Sequence, residues 1–292
     1  MVYQNMPPTG GICEGFLACL TADLFALAAG TALFLALFVA AALANVVSAR
    51  EAAADERERL LAEADALDRF VSRVADIEAG TPRAALAGDP GAMTALGSGD
   101  RGRLGRVREA YRETVMSVPH YEAEYDESLA RNLRAEFGDD VAAALLEGGD
   151  LSPQLKGTVL TRGREARRRR LVVVEHIESE QASLAAARRR LGPAADSVDR
   201  LADADLSSFG DDELAAESYL LADRREDCKA AVERRQDAVQ NRRGLAERVD
   251  AVDSIEGYLY GSLPVTYPVL SDTTTLLDRI EDLQGRVLAA MR

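Results

Sequence analysis

The chain contains no tryptophan, two histidines and three cysteines, and only two of its 35 basic residues, Lys156 and Lys229, are lysine. Cys13, Cys19 and Cys228 are too few for a disulfide framework, and they cannot complete a tetrahedral metal site alone. We interpret them as apolar fillers, and pairing of Cys13 with Cys19 is left open for an extracellular N-terminus. Aromatic residues make up 5% of the chain, and alternating β-branched runs are nearly absent, which argues against a β-sheet protein.

Acidic residues are in excess, since 49 Asp and Glu stand against 35 Lys and Arg and give a formal net charge of −14. Such an excess repels itself in dilute buffer, whereas molar salt shortens the Debye length to about 3 Å and removes most of the repulsion. The composition therefore favours a cytoplasm rich in salt, with an ordinary acidic mesophilic protein as the alternative. The hydrophobic content of 47% excludes wholesale disorder.

One long apolar run lies near the N-terminus. Residues 24–44 carry no charge, and as a helix they would span roughly 31 Å, close to the thickness of a bilayer core. We predict a transmembrane helix over 24–47 after a short extracellular N-terminus, 1–23. Because basic residues occur only after this run, we predict a single-pass protein of the cell membrane with its C-terminal domain in the cytoplasm. A cleaved signal peptide is the alternative, although its basic leading segment is missing.

Helical periodicity continues through the rest of the chain. We predict an all-α fold, in which one N-terminal transmembrane helix is followed by a cytoplasmic antiparallel helical bundle or coiled-coil-like array. A juxtamembrane amphipathic helix is predicted over 48–79, because apolar residues recur there every three or four positions. These residues are Leu60, Ala64, Leu67, Val71 and Val74. Residues 80–105 are rich in Gly, Ala, Asp and Pro without a period, which predicts a flexible linker, and 106–292 form the predicted bundle domain.

Within the bundle, turn and capping residues predict where helices begin and end. Predicted helices cover 104–118, 121–137 and 139–146. The next runs from Pro153 to about Leu191, where Gly192 and Pro193 end it. A long helix is predicted from Asp211 or Asp212 to about residue 259. A final helix, capped by Ser271 or Asp272, carries Leu276, Ile280, Leu283, Val287 and Met291 as its apolar line.

Two stretches of this region, YRETVMSVPHY over Tyr111–Tyr121 and EFGDDVAAAL over Glu136–Leu145, resemble a family of haloarchaeal proteins of unknown function. The resemblance extends over roughly residues 25–290 and is most specific over about 105–190. It implies one membrane helix near the N-terminus, an α-helical, coiled-coil-like remainder and a halophilic archaeal origin. It implies no catalytic residues.

Motifs that carry catalytic chemistry are missing from the sequence. The two histidines lack partners at metal-ligand or catalytic spacing, so we interpret His120 as a hydrogen-bonded turn residue beside carboxylates and His176 as part of a helix face. Gly97, Gly99 and Gly102 match the phosphate-binding spacing G-x-G-x-x-G, but no strand precedes them. We therefore predict no enzymatic activity, no cofactor and no metal site.

A basic run over 156–170 is the most conspicuous charged feature. It contains seven cations and one acid, Glu165, in an otherwise negative chain. The cations are Lys156, Arg162, Arg164, Arg167, Arg168, Arg169 and Arg170. They form a candidate anion or interaction patch, able to hold phosphates of nucleic acid or lipid. The alternative is that the run pairs with acidic helices of the same chain, such as 121–136.

Taken together, these features predict a non-enzymatic membrane protein whose helical bundle acts as a structural or protein-interaction module. The expected partners are the lipid bilayer and a protein, or a second copy, bound through the helices. A membrane-tethered regulatory protein that binds nucleic acid through the basic run is the lesser alternative, because phosphate contacts weaken steeply as salt rises.

Overall fold

The computed structural model describes residues 42–80, 93–246 and 254–292. All regular structure in these residues is helical, without a strand, which confirms the all-α class. Two single 3₁₀ turns, Val115–Ser117 and Leu206–Ser208, lie between helices. The helices are α1 (Ala44–Ala75), α2 (Met93–Thr114), α3 (Tyr121–Glu124), α4 (Leu129–Phe137), α5 (Asp139–Glu147), α6 (Pro153–Ala202), α7 (Asp211–Ala246), α8 (Ile255–Tyr260) and α9 (Pro268–Ala290).

The chain divides into two compact units that are not contiguous in sequence. Among the described residues, the first unit comprises 42–47, 186–235 and 268–292. The second unit comprises 48–185 and 236–267. The predicted single bundle domain over 106–292 therefore contributes to both units.

The core of the second unit forms around the apolar seam of α1. All five residues of the predicted seam are buried, and the seam is therefore confirmed. An aromatic cluster continues it, in which Phe70 lies 5.1 Å from Tyr111 and 5.8 Å from Phe137, measured between ring centroids. The Phe70 and Tyr111 rings meet edge to face, an arrangement that adds to the burial energy of two large rings.

Helix α6 approaches α1 closely in this unit because a glycine faces the seam. A Cβ added at Gly163 would lie 2.7 Å from Cγ2 of Val71. Gly157, six residues earlier in the same helix, has no atom within 4 Å of the corresponding position. The close approach therefore requires glycine at 163 and not at 157.

The first unit contains the C-terminal part of α6, where the predicted end at Gly192–Pro193 is wrong. The helix continues to Ala202 with Pro193 inside it. A proline in a helix interior costs about 3 kcal/mol. Burial outweighs this cost, because Leu191, Ala194, Val198 and Leu201 are at most 2% exposed and a fully buried Leu or Val contributes about 1.5–3 kcal/mol.

Helix α9 confirms four of the five residues of the predicted apolar line but not the predicted cap. Leu276, Ile280, Leu283 and Val287 are buried, whereas Met291 follows the end of the helix at Ala290 and is 41% exposed. The helix begins earlier, at Pro268, where proline suits the first helical position because it has no N–H to leave unpaired. Asp272 is therefore inside α9, and its carboxylate accepts a hydrogen bond from the backbone N–H of Val46 at 2.8 Å, in the first turn of α1.

Charged side chains from distant positions satisfy the ends of several helices. Lys156 Nζ donates to the carbonyls of Ala75 and Ile77 at the end of α1, both at 2.7 Å. Arg108 donates to the carbonyl of Leu145 near the end of α5, and Arg286 donates to the carbonyl of Ala202 at the end of α6. A cation at a C-terminus and a carboxylate at an N-terminus both complement the helix dipole.

The predicted fold class is wrong in including a transmembrane helix. No helix within 42–80, 93–246 and 254–292 is both long and apolar enough to cross a bilayer, and the predicted cell-membrane localisation is contradicted by the same finding. Residues 24–41 of the predicted span lie outside the described residues. The last residues of that span form the start of α1. There Val46 is buried, and its backbone N–H donates to the Asp272 carboxylate. Charged residues follow from Arg50 onward.

Three further boundaries differ from those predicted. Helix α2 begins at Met93, inside the predicted linker 80–105, because a helix anchored by the buried Leu104 and Val107 extends more easily than a new one nucleates. The helix predicted from 211 to 259 is not continuous, because Ser254 is extended and α8 begins after it at Ile255. Helix α7 is described as far as Ala246, and residues 247–253 lie outside the described residues. The helix predicted over 121–137 is two helices, α3 and α4.

The two glycines of α6 provide a matched test of its packing on α1. We expect Gly157→Ala to raise the free energy of unfolding by up to about 1 kcal/mol, because alanine is the better helix former and nothing lies nearby. Gly163→Ala forces Val71 to move, and we expect it to be less stable than Gly157→Ala by about 1–3 kcal/mol. Urea denaturation of both variants checks this. Equal stabilisation by both substitutions would contradict the close packing.

Candidate functional site

The seven cations of the basic run all lie on α6 in the second unit, but the structure does not keep them together as one patch. Lys156 binds the end of α1, as described above. Arg167 Nε lies 3.3 Å from Oδ1 of Asp68 on α1. Arg169 donates to Glu136 on α4 at 3.2 Å. These three cations are therefore directed toward other helices of the same unit.

Arg170 is the most engaged member of the run. Its Nε donates to Oε2 of Glu63 at 3.0 Å, while its two terminal nitrogens donate to the two carboxylate oxygens of Glu136 at 2.7 and 2.6 Å. The second pair is a bidentate contact, in which the planar guanidinium matches the carboxylate geometry. One side chain of α6 thus connects α1 with α4. The predicted alternative, pairing with the acidic helices over 121–136, is confirmed for Arg169 and Arg170.

Glu63 is the second centre of this cluster and is 8% exposed. Besides Arg170, its carboxylate accepts a hydrogen bond from the Tyr125 hydroxyl at 2.8 Å and lies 3.1 Å from Nε2 of His120. We refer to Glu63, His120, Tyr125, Glu136 and Arg170 as the ionic cluster. It joins α1, α4 and α6 to the short segment around α3.

The geometry determines how these groups titrate. Burial alone raises the pKa of Glu63, but the hydrogen bonds from Tyr125 and His120 and the charge of Arg170 outweigh it, so the pKa is lowered overall. Burial and the neighbouring Glu63 carboxylate raise the pKa of Tyr125. Burial lowers the pKa of Arg170, yet the bonds to Glu136 and Glu63 outweigh this and raise it. Near neutral pH the cluster therefore holds an ionised carboxylate, a protonated phenol and a charged guanidinium.

A break between α3 and α4 places Tyr125 in this cluster. Asp126 adopts a φ of +40°, a left-handed conformation that Asp tolerates better than most residues. The Tyr121 hydroxyl donates to the carbonyl of Glu127 at 3.2 Å, which closes the loop on itself. Ser128 then caps α4, since its hydroxyl accepts from the N–H of Arg131. The predicted continuous helix over 121–137 would have directed Tyr125 elsewhere.

A cavity of about 250 Å³ adjoins the ionic cluster. Its polar lining includes Glu63, Arg170, Tyr121 and Asn132. Asn132 accepts from the buried Tyr111 hydroxyl at 2.6 Å and donates to Glu127 at 3.2 Å. The polar side chains on this wall thus bind one another. An ionised carboxylate that already accepts three hydrogen bonds is a poor general base, so the arrangement suits a fixed joint between helices better than acid–base chemistry.

Three exposed members of the run are not paired within the described chain. Arg162, Arg164 and Arg168 have no ion-pair or hydrogen-bond partner among the residues that the structure describes, and we call these three the exposed arginine patch. Arg164 and Arg168 are four residues apart and so lie on the same side of α6. The predicted seven-cation patch is therefore reduced to three available cations.

Sequence reasoning missed Glu63 and Glu136. For Glu63 a signal exists, because it stands four and seven residues before Leu67 and Phe70 and thus has the spacing of a buried helix position. A carboxylate in that position requires a cation, and the basic run supplies one. His120 lies at a turn beside a carboxylate, as predicted, and His176 lies on α6, also as predicted. Over the described ranges no group of three or more His, Cys, Asp or Glu is placed to hold a metal ion.

The sequence profile of a family described as "Domain of unknown function (DUF7260)" matches residues 44–284. The match covers most of the chain, from the first residue of α1 into α9, and the chain belongs to this family. No curated protein matches the chain, and no solved structure matches it. The predicted resemblance to a family of unknown function is thereby confirmed in its coarse form.

The lowered pKa of Glu63 predicts a specific loss of stability in acid. Because the folded pKa lies below the ordinary value of 4.5, the Glu63 contribution is fully present above about pH 4.5 and is lost as the pH falls through the folded value. We expect the free energy of unfolding to fall less steeply between about pH 6 and about pH 3 in Glu63→Gln than in the unmodified chain. Urea denaturation across this range measures it. Glu109→Gln, at an exposed position on α2, is the control and should keep the original slope.

Proposed function

We propose that this DUF7260 chain is a non-enzymatic helical module that binds a carboxylate-rich protein surface through the exposed arginine patch. The supporting observation is the division of the basic run. Lys156, Arg167, Arg169 and Arg170 are directed at other helices of the second unit, whereas Arg162, Arg164 and Arg168 are exposed without partners among the described residues. A chain with a net charge of −14 keeps these three guanidinium groups available on a helix that the ionic cluster fixes in place.

The reduced number of available cations favours a protein partner over nucleic acid. With three phosphate contacts, the logarithm of the affinity falls with the logarithm of the salt concentration with a slope of about −2.7. Seven contacts would give a slope of about −6 and a correspondingly greater affinity at low salt. Three non-specific contacts supply little binding in concentrated salt. Guanidinium groups also bind carboxylates with two parallel hydrogen bonds, a contact whose geometry gives specificity beyond charge.

The ionic cluster supports a mechanical role and not a catalytic one. Its carboxylates, phenol and guanidinium bind each other, and the adjoining polar side chains do the same. We therefore assign the cluster to holding α1, α4 and α6 at a fixed spacing. On this view the interaction surface is rigid before the partner binds, which lowers the entropic cost of binding.

We further propose that the chain works in concentrated salt and has a haloarchaeal origin. The carboxylate excess and the preference for arginine over lysine support this. Repulsion among exposed carboxylates is removed by salt, while pairs that are partly buried, such as Glu63 with Arg170, are screened much less.

Salt should therefore stabilise the fold. Between about 0.2 M and about 2 M KCl we expect the free energy of unfolding to rise, because screening relieves the repulsion of the net charge. Thermal unfolding at a series of KCl concentrations measures this. A midpoint that falls as KCl increases would contradict the proposed salt adaptation.

The partner proposal predicts a defined loss of crosslinking. In intact cells at native salt, chemical crosslinking of the full chain should yield a protein adduct that disappears when Arg164 and Arg168 are both replaced by Ser. The matched control replaces Arg112 and Arg225, which are also exposed arginines without partners in the described part of the chain. An adduct that survives in the Arg164/Arg168 variant, or one that nuclease removes, would overturn the proposal.

A further inference from the structure

A second concave surface lies in the first unit, between α6 and α7. This groove has a volume of about 390 Å³, within the range of pockets that take small ligands. The buried Ala187 and Ala231 lie at its base. Its rim carries Arg189 and Arg190 from α6 and Arg234 from α7. We call it the arginine-rimmed groove, and it shares no residue with the exposed arginine patch of the second unit.

The groove has a local excess of positive charge, although the net charge of the chain is −14. Asp227 supplies the one carboxylate among the described residues that line it. One oxygen of Asp227 accepts a hydrogen bond from Arg224 at 2.6 Å, and the other lies 3.9 Å from Nη1 of Arg190. Arg189 and Arg234 are exposed and have no ion-pair or hydrogen-bond partner in the described part of the chain. The groove therefore attracts an anion that carries more than one negative charge.

The chemistry of the rim favours a phosphate over a carboxylate. Both walls are helix interiors, whose backbone N–H groups are already bonded, so the guanidinium groups must supply the hydrogen bonds. Each guanidinium presents its N–H donors in a planar fork that can bind two oxygens at once. A phosphate monoester offers three free oxygens and a charge of about −1.5 to −2 near neutral pH. A carboxylate offers two oxygens and a single charge, and it matches three guanidinium groups less well.

The base of the groove indicates what the phosphate is attached to. Ala186, Ala187, Pro193 and Ala231 line the groove without a polar side-chain atom. A small apolar or planar group can cover these residues while its phosphate reaches the rim, and a planar group can also stack on a guanidinium. The apolar part of a lipid lies inside its bilayer and cannot reach this base. A free ester therefore fits the groove better than a lipid headgroup does.

We propose that the arginine-rimmed groove binds a free phosphate monoester with a small apolar or planar body. Arg189 and Arg234, from the two walls, hold the phosphate oxygens, and Arg190 contributes from beside Asp227. The body of the ligand lies against the alanines at the base. This small-molecule site belongs to the first unit and does not depend on the protein-partner site proposed for the second unit.

Phenyl phosphate is the probe, because it combines a phosphate monoester with a planar apolar ring. At about pH 8 it is a dianion, since the second pKa of such an ester is about 6. We expect a phosphorus NMR titration of the full chain in about 1 M KCl to give a Kd of about 5 mM or lower. Benzoate, titrated under the same conditions by proton NMR, should bind at least about fivefold more weakly.

Substitutions identify the side chains that bind the probe. Arg189→Ser and Arg234→Ser should each raise the Kd about fivefold or more. Arg234→Lys keeps the charge but loses the planar fork, so it should give part of that increase. Arg225→Ser is the matched control, because Arg225 is also exposed on α7 but precedes Arg234 by nine residues and so lies on the opposite side of the helix. It should leave the Kd unchanged, and far-UV circular dichroism verifies the helix content of each variant.

Absence of binding up to about 20 mM phenyl phosphate would overturn the inference, as would binding that Arg189→Ser and Arg234→Ser leave unchanged. Equal affinity for benzoate would overturn the preference for phosphate. Cosedimentation with vesicles of phosphatidic acid, lost in the same two variants, would overturn the free ester as the ligand. Ser at both Arg164 and Arg168 should leave the Kd unchanged, so failure of the crosslinking experiment and failure of this one are separate outcomes.

Discussion

The half-buried guanidinium of Arg170 makes the contacts on which the second unit depends most. It faces two carboxylates from different helices, Glu63 on α1 and Glu136 on α4, and each oxygen of the second accepts one of its hydrogen bonds. Buried charges are costly unless they are paired and hydrogen-bonded, and removing one partner of a buried pair costs about 3–5 kcal/mol. The arrangement thus fixes which helices can be neighbours, whereas an apolar seam alone tolerates several pairings.

Local periodicity was enough to predict the apolar seam of α1 and the apolar line of α9, because both depend on spacing within one helix. It could not predict that α6 passes through Pro193, since the burial of Val198 and Leu201 that offsets the cost is tertiary. The ionic cluster could not be predicted for the same reason, because Glu63 and Arg170 are 107 residues apart in the sequence. The transmembrane prediction rested on an apolar run alone, and the helices that the structure describes do not bear it out.

The tertiary capping of helix ends also bears on how the chain folds. The first turn of α1 is completed by Asp272, 226 residues later, and its last turn by Lys156, about 80 residues later. Neither end of this helix is completed by its own sequence neighbours alone. Its termini therefore stay frayed until remote segments arrive, which makes long-range assembly slow to begin and strongly cooperative once begun. A fragment that ends before residue 268 would retain the apolar seam of α1. The backbone N–H of Val46, in the first turn of that helix, would then lack the Asp272 carboxylate that accepts its hydrogen bond.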